Sequence, residues 1–161
     1  MSRTPAPRLP GFSRRTLLAA SAAGLALLAT GCSSPPVDER EQVTSEQADE
    51  LAAQVAVQEA LVSAFAAAGA ADPALAAEVA DLAAQANEQL TRLRAASPGS
   101  TASASSPGAP PSAPEARAWL RGQVSATAAS HGTACLDQSG ARAALLGSIA
   151  AGLRGHEARL A

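Results

Sequence analysis

The sequence predicts an all-α fold: a bundle of four helices, arranged as two antiparallel hairpins joined by a long low-complexity crossover. Three observations carry this expectation. Apolar residues recur at helical spacing in four stretches after Thr44, caps and breakers separate those stretches, and the composition suits close-packed helices. Aromatics are 2% of the 161 residues and tyrosine is absent, so a core must be made from Leu, Val, Ile and Ala. Alanine is the strongest helix former and fills little volume, which favours helices in close approach over a sheet sandwich.

The first element, residues 1–31, reads as an export segment. Arg14 and Arg15 precede an apolar run from Leu17 to Leu28, followed by small residues and Cys32. About a dozen apolar residues fall short of the roughly 20 that span a bilayer as a helix, so a cleavable signal is expected. Ser13-Arg14-Arg15-Thr16-Leu17-Leu18 resembles the twin-arginine export motif, departing from it at Leu17, where Phe is common, and at Ala19, where Lys is frequent. Leu28-Ala29-Thr30-Gly31-Cys32 resembles a bacterial lipobox, with Ala29 where Leu is commonest. The resemblance implies diacylglycerol on the Cys32 sulfur, cleavage after Gly31, and residence at the extracytoplasmic face of the membrane. Two or three acyl chains anchor stably where one binds marginally.

Residues 32–43 form a polar tether, broken at Pro35 and Pro36. Thr44 and Gln47 have capping-box spacing and open the first helix, expected to run to about Ala68 and to stop at Gly69. Asp72-Pro73 caps and starts the second, which reaches about Ala95. The Ser, Pro, Ala and Gly of residues 96–114 cannot bury a core. Pro114-Glu115 opens the third helix, to about Cys135. A break at Gln138-Ser139-Gly140 precedes the fourth, from about Ala141.

Apolar stripes follow at about 100° per residue. They are Leu51, Val55, Val62 and Phe65 on the first helix, and Leu75, Val79, Leu82, Ala86 and Leu93 on the second. On the third they are Ala116, Leu120, Val124 and Ala134, and on the fourth Leu145, Leu146, Ile149, Leu153 and Leu160. Short breaks join the first helix to the second and the third to the fourth. The linker of roughly 18 residues can extend about 55 Å, more than the roughly 36 Å of a 24-residue helix. It is therefore long enough to return along the bundle.

Polar residues interrupt each stripe: Gln58 with Glu59 on the first helix, Gln89 flanked by Gln85 on the second. Gln123, Thr127 and His131 interrupt the third, and His156 the fourth. A buried amide without a partner costs about 1–3 kcal/mol, so these groups are expected to satisfy one another in an internal polar layer.

On the run Gln58 to Phe65, on Asp72-Pro73-Ala74-Leu75-Ala76, and on Cys135-Leu136 with Ala144-Leu145-Leu146-Gly147-Ser148-Ile149-Ala150-Ala151, the chain resembles actinobacterial ferritin-like lipoproteins over residues 45–161. That resemblance implies a ferritin-like four-helix bundle. Ferritin-like carboxylate sites hold two metals with a Glu from each of two helices and a Glu-x-x-His from each of the other two. At the corresponding positions this chain carries Gln58, Gln89, Gln123 and, in Leu153-Arg154-Gly155-His156, only the histidine. Neutral amides cannot offset two cations, so the ligand set is degenerate and no cofactor is expected. A lesser metal site would draw on His131, His156, Glu59 and Glu88.

Charge narrows the partners. Taking Arg3, Arg8, Arg14 and Arg15 from the formal −2 leaves the rest of the chain at −6, with no basic stripe for nucleic acid. Membrane attachment is thus expected through lipid on Cys32 and not through charge, with a protein partner unidentified. No nucleophile–base pair or phosphate loop is legible, so an enzyme is not the first expectation. The leading expectation is a non-catalytic interaction or structural module of the cell envelope. A metal-binding or redox protein and a carrier or sensor of small apolar ligands stand beside it.

Overall fold

The computed structural model describes residues 43–99, 108 and 112–161, all within Glu41–Ala161, the second of two units into which the chain divides. Ser13, Arg14, Arg15, Leu28, Gly31 and Cys32, with the tether up to residue 42 and most of the 96–114 linker, lie outside the described residues.

Every regular element among the described residues is helical: α1 (Ser45–Ala71), α2 (Pro73–Glu78), α3 (Ala80–Ala96), α4 (Ala116–Ala134) and α5 (Gly140–Arg159). A short 3-10 turn, Ala113–Glu115, leads into α4. The start of α1 is a reciprocal capping box, in which Thr44 Oγ1 accepts from the Gln47 N–H and Gln47 Oε1 accepts from the Thr44 N–H, both at 3.2 Å. Asp72 caps α2 by accepting from the Ala74 and Leu75 N–H groups at 3.0 and 3.2 Å, with Pro73 in the first turn.

Two boundaries differ from the sequence expectation. Gly69 does not end α1, which continues to Ala71; the Asp72 N–H still bonds the Ala68 carbonyl at 2.9 Å. The glycine serves packing instead, because a Cβ there would lie 3.0 Å from Ala76 Cβ on α2. The second helix is divided at Val79, whose backbone opens to φ −101°, ψ 10°. The bonds from Val79 N–H to Leu75 O and from Ala83 N–H to Val79 O, each 3.0 Å, carry the chain through this bend.

The core follows the stripes. Leu51, Val55, Leu61 and Phe65 of α1 meet Leu75, Val79, Leu82, Leu90 and Leu93 from α2, α3 and the junction between them. From the other side come Leu120 and Val124 of α4, Leu146, Ile149 and Leu153 of α5, and Leu160 just beyond it. Val62, Trp119 and Leu145 pack half-buried at its margin. α1 is long and apolar enough to cross a membrane by length and composition, yet Leu51, Gln54, Val55, Gln58, Leu61 and Phe65 on it are buried by its neighbours. Those neighbours are α2, α3 and α4, while α5 packs broadly on α4 and touches α3 only along a narrow seam.

Candidate functional site

The polar interruptions converge on Gln58, which is fully buried at the centre of α1. Its amide nitrogen donates to the Ala86 carbonyl at 3.0 Å and to Gln89 Oε1 at 3.2 Å, both on α3. Its Oε1 lies 2.9 Å from Nε2 of His131 on α4, also fully buried. A helix carbonyl can only accept, so the Gln58 nitrogen must face Ala86 and its oxygen must face the ring. His131 therefore gives its Nε2 proton to Gln58, and its Nδ1 is left as a lone pair without a partner. Burial drives the imidazole pKa down to about 4, so the ring is neutral near pH 7. The trio is uncharged and joins three helices.

Gln89 is half-buried and extends across the interior. A Cβ at Gly152 on α5 would stand 3.3 Å from Gln89 Nε2, so the missing side chain leaves room for the amide. His156 of α5 is 4% exposed and bonds through Nε2 to Gln85 Oε1 at 3.1 Å. Gln85 and Gln89 are one turn apart on α3, about 6 Å along its axis. The polar layer is thus two adjacent steps, Gln58–Gln89–His131 and Gln85–His156. The His156 pKa is also lowered, first by burial and then by Arg159, with Asp81 opposing. Its Nδ1 has no partner either.

Gln123 does not join this layer. Eight positions separate it from His131, which places it about 80° away around α4 at 100° per residue. It is half-buried and lines a groove of about 330 Å³ between α1 and α4, with Ala56, Ala60, Leu61, Thr127 and Ser130. Thr127 and His131 do share the buried face, as expected.

Glu59 and Glu88 are also placed away from the histidines. Glu59 Oε1 accepts from Arg94 Nη2 at 2.8 Å and Nε at 3.2 Å on the α1–α3 surface. Glu88 pairs with Arg92 on an exposed flank of α3. Both carboxylates have been turned outward by an arginine, because ionised groups are cheaper to hold at the surface than beside neutral imidazoles. Among the described residues no three His, Cys, Asp or Glu side chains gather to hold a metal ion. Cys135 is half-buried, with its thiol 3.3 Å from the Gly132 carbonyl.

Two buried polar groups were missed from the sequence. Gln54, 4% exposed, donates to Glu50 at 2.9 Å and accepts from Ser130 of α4 at 3.1 Å. It lies one turn before Gln58 on the same stripe, a spacing that would have found it. Gln138 sits in the α4–α5 break, yet it is 7% exposed and donates to the Gln47 carbonyl at 2.9 Å. Nothing local in the sequence marks it as buried, since a helix 91 positions away covers it.

The arrangement is a neutral, amide-rich bracket. It can hold helices in register, and it offers neither an anionic cage nor a nucleophile with its base. No protein-family model, curated protein or solved structure matches the chain.

Proposed function

We propose that this chain is an exported lipoprotein, held by lipid on Cys32 at the extracytoplasmic face of the membrane, whose helical domain is a non-catalytic interaction or structural module. In this reading residues 1–31 are a twin-arginine-type signal and 32–43 the tether. Residues 44–161 form a ferritin-like four-helix bundle of two antiparallel hairpins, with the 96–114 linker as crossover. Cross-helix bonds support that topology: Gln47 near the start of α1 reaches Asp137 just past the end of α4, whereas Gln54 and Gln58 further along α1 meet Ser130 and His131 further back on α4. Gln58 likewise reaches back to Ala86 and Gln89 beyond the Asp72 turn.

One observation carries the non-catalytic reading. Where a ferritin-like site needs a carboxylate and a histidine, Gln58 and Gln89 bond to each other, and Gln58 also bonds a neutral His131. A satisfied amide network does not need a cation, and it supplies no charge to stabilise one. Elemental analysis of protein purified after iron, zinc and copper supplementation is expected to find well under one metal per chain. Near-stoichiometric iron would end this reading. Palmitate labelling in a bacterial host tests the anchor separately: wild-type chain is expected to label, and Cys32→Ala to lose the label and leave the membrane fraction.

The α1–α4 groove favours a second reading, a carrier of small apolar ligands. Its apolar walls are three alanines with Val57 and Leu61, and Gln123 makes no side-chain hydrogen bond among the described residues, so it is free to orient a guest. Ala60→Phe, which fills the groove, is expected to abolish binding of an apolar fluorophore such as ANS; unchanged binding removes this reading.

A further inference from the structure

The helices of this domain are not held together evenly. α1 against α3 and α4, and α4 against α5, are broad apolar seams. Between α3 and α5 the contact is narrow, and its bonds are polar. Gln85 meets His156 at 3.1 Å, Asp81 meets Arg159 at 2.8 Å, and Gln89 lies over Gly152. Leucines of both helices share the buried core, but the backbones approach along a shorter stretch than on the other seams, and the side-chain bonds across it are a few hydrogen bonds and an exposed ion pair of small net worth.

The critical group in the seam is His156. It is 4% exposed and Gln85 takes its Nε2 side, while its Nδ1 faces no acceptor. A second proton on the ring would place an uncompensated cation and an unsatisfied N–H inside the seam. Three groups decide whether the surroundings compensate it. On its own helix Arg159 repels the imidazolium; from α3 Asp81 attracts it, though that carboxylate is already held by Arg159, and Gln85 is neutral. No charged group of α4 acts on it. Burial and Arg159 together outweigh Asp81. The simplest relief is for the C-terminal half of α5 to come off α3 and fray, which hydrates the ring while the first half of α5 stays packed on α4.

We propose that the α3–α5 seam is an acid-opened joint, in which protonation of His156 releases the C-terminal half of α5 from α3 and uncovers half-buried Gln89 and the polar layer behind it. This is a conformational device independent of any metal or lipid and of the function proposed above. The joint is closed at neutral pH and opens as pH falls below the ordinary histidine range of about 6.5. His131, on α4 in the other step of the layer, has no part in the seam.

Hydrogen–deuterium exchange on the full chain in mild detergent, corrected for the intrinsic pH dependence of exchange, tests the joint. Between pH 7.5 and pH 5 the amides of residues 149–159 are expected to lose protection by about tenfold or more beyond the loss that α1 and α4 undergo through His131. His156→Gln, which can still donate to Gln85 Oε1 and cannot take the second proton, is expected to hold residues 149–159 level with α1 and α4 across that range. An equal change in all helices of the wild type, or the same extra loss in His156→Gln, would each overturn the proposal. Should that variant not fold, the ring-proton titration of His156 in the wild type replaces it. A midpoint coincident with the loss of protection supports the joint, and an opening at a pH where the ring does not titrate overturns it.

Discussion

His131 Nε2 lies 2.9 Å from Gln58 Oε1, and both side chains are shut off from solvent. The bond links α1 to α4, and the other end of the same amide links α1 to α3. Removing either partner strands several polar groups at once.

Gln58→Leu keeps the volume and leaves the His131 Nε2–H and the Gln89 carbonyl oxygen without their partner. It is expected to lower stability by about 2–4 kcal/mol, since each stranded buried group costs about 1–3 kcal/mol. Urea unfolding measures this. The double variant Gln58→Leu with His131→Leu should recover part of the loss, because removing both partners is cheaper than removing one.

Acid acts on His131 through its folded-state pKa of about 4, set below the ordinary 6.5 by burial. The unfolded chain then binds the proton more readily than the folded one. This group's contribution is therefore complete above about pH 6.5 and is lost as pH falls from there toward 4, to the order of 3 kcal/mol. Denaturant midpoints at pH 7.5, 6, 5 and 4 are expected to fall in that window. The fall should shrink in His131→Gln.

Gly69→Ala sets two effects against each other. Alanine gains about 1 kcal/mol of helix propensity, but its methyl would stand 3.0 Å from Ala76 Cβ, which must then shift together with α2. The clash is expected to win by about 1–2 kcal/mol, because overpacked methyls force the backbone to move. Adding Ala76→Gly should relieve it, and thermal melts of the single and double variants decide the matter.

Asp72→Ala removes the acceptor of two N–H groups at the start of α2, and a loss of about 1 kcal/mol is expected. Asp72→Asn should keep most of the stability, since its side-chain oxygen can serve the same donors. Equal melting temperatures for Asp72→Ala and the wild type would show that Pro73 alone sets the start of the helix.

Much of this architecture was legible before any coordinate, because the signals were local. Thr44 with Gln47 and Asp72 with Pro73 marked helix starts that the structure keeps, and the period of Leu75, Val79, Leu82, Ala86 and Leu93 named one buried face except for Leu90. A cap or a stripe depends on residues within a turn or two, where geometry is set by the helix itself. Gly69 misled because its purpose lies on the neighbouring helix, and Val79 opens the backbone at a residue with no breaker chemistry.

The sequence by itself determined that the described domain is helical, which faces are apolar, and that amides and imidazoles interrupt them. Tertiary structure alone decided the partners. It gave Gln58 to His131 and Gln89, gave His156 to Gln85, turned Gln123 toward a groove and drew Glu59 out to Arg94. Rotation of a few tens of degrees about a helix axis moves a long side chain from core to surface, and that rotation is fixed by packing between helices distant in the chain.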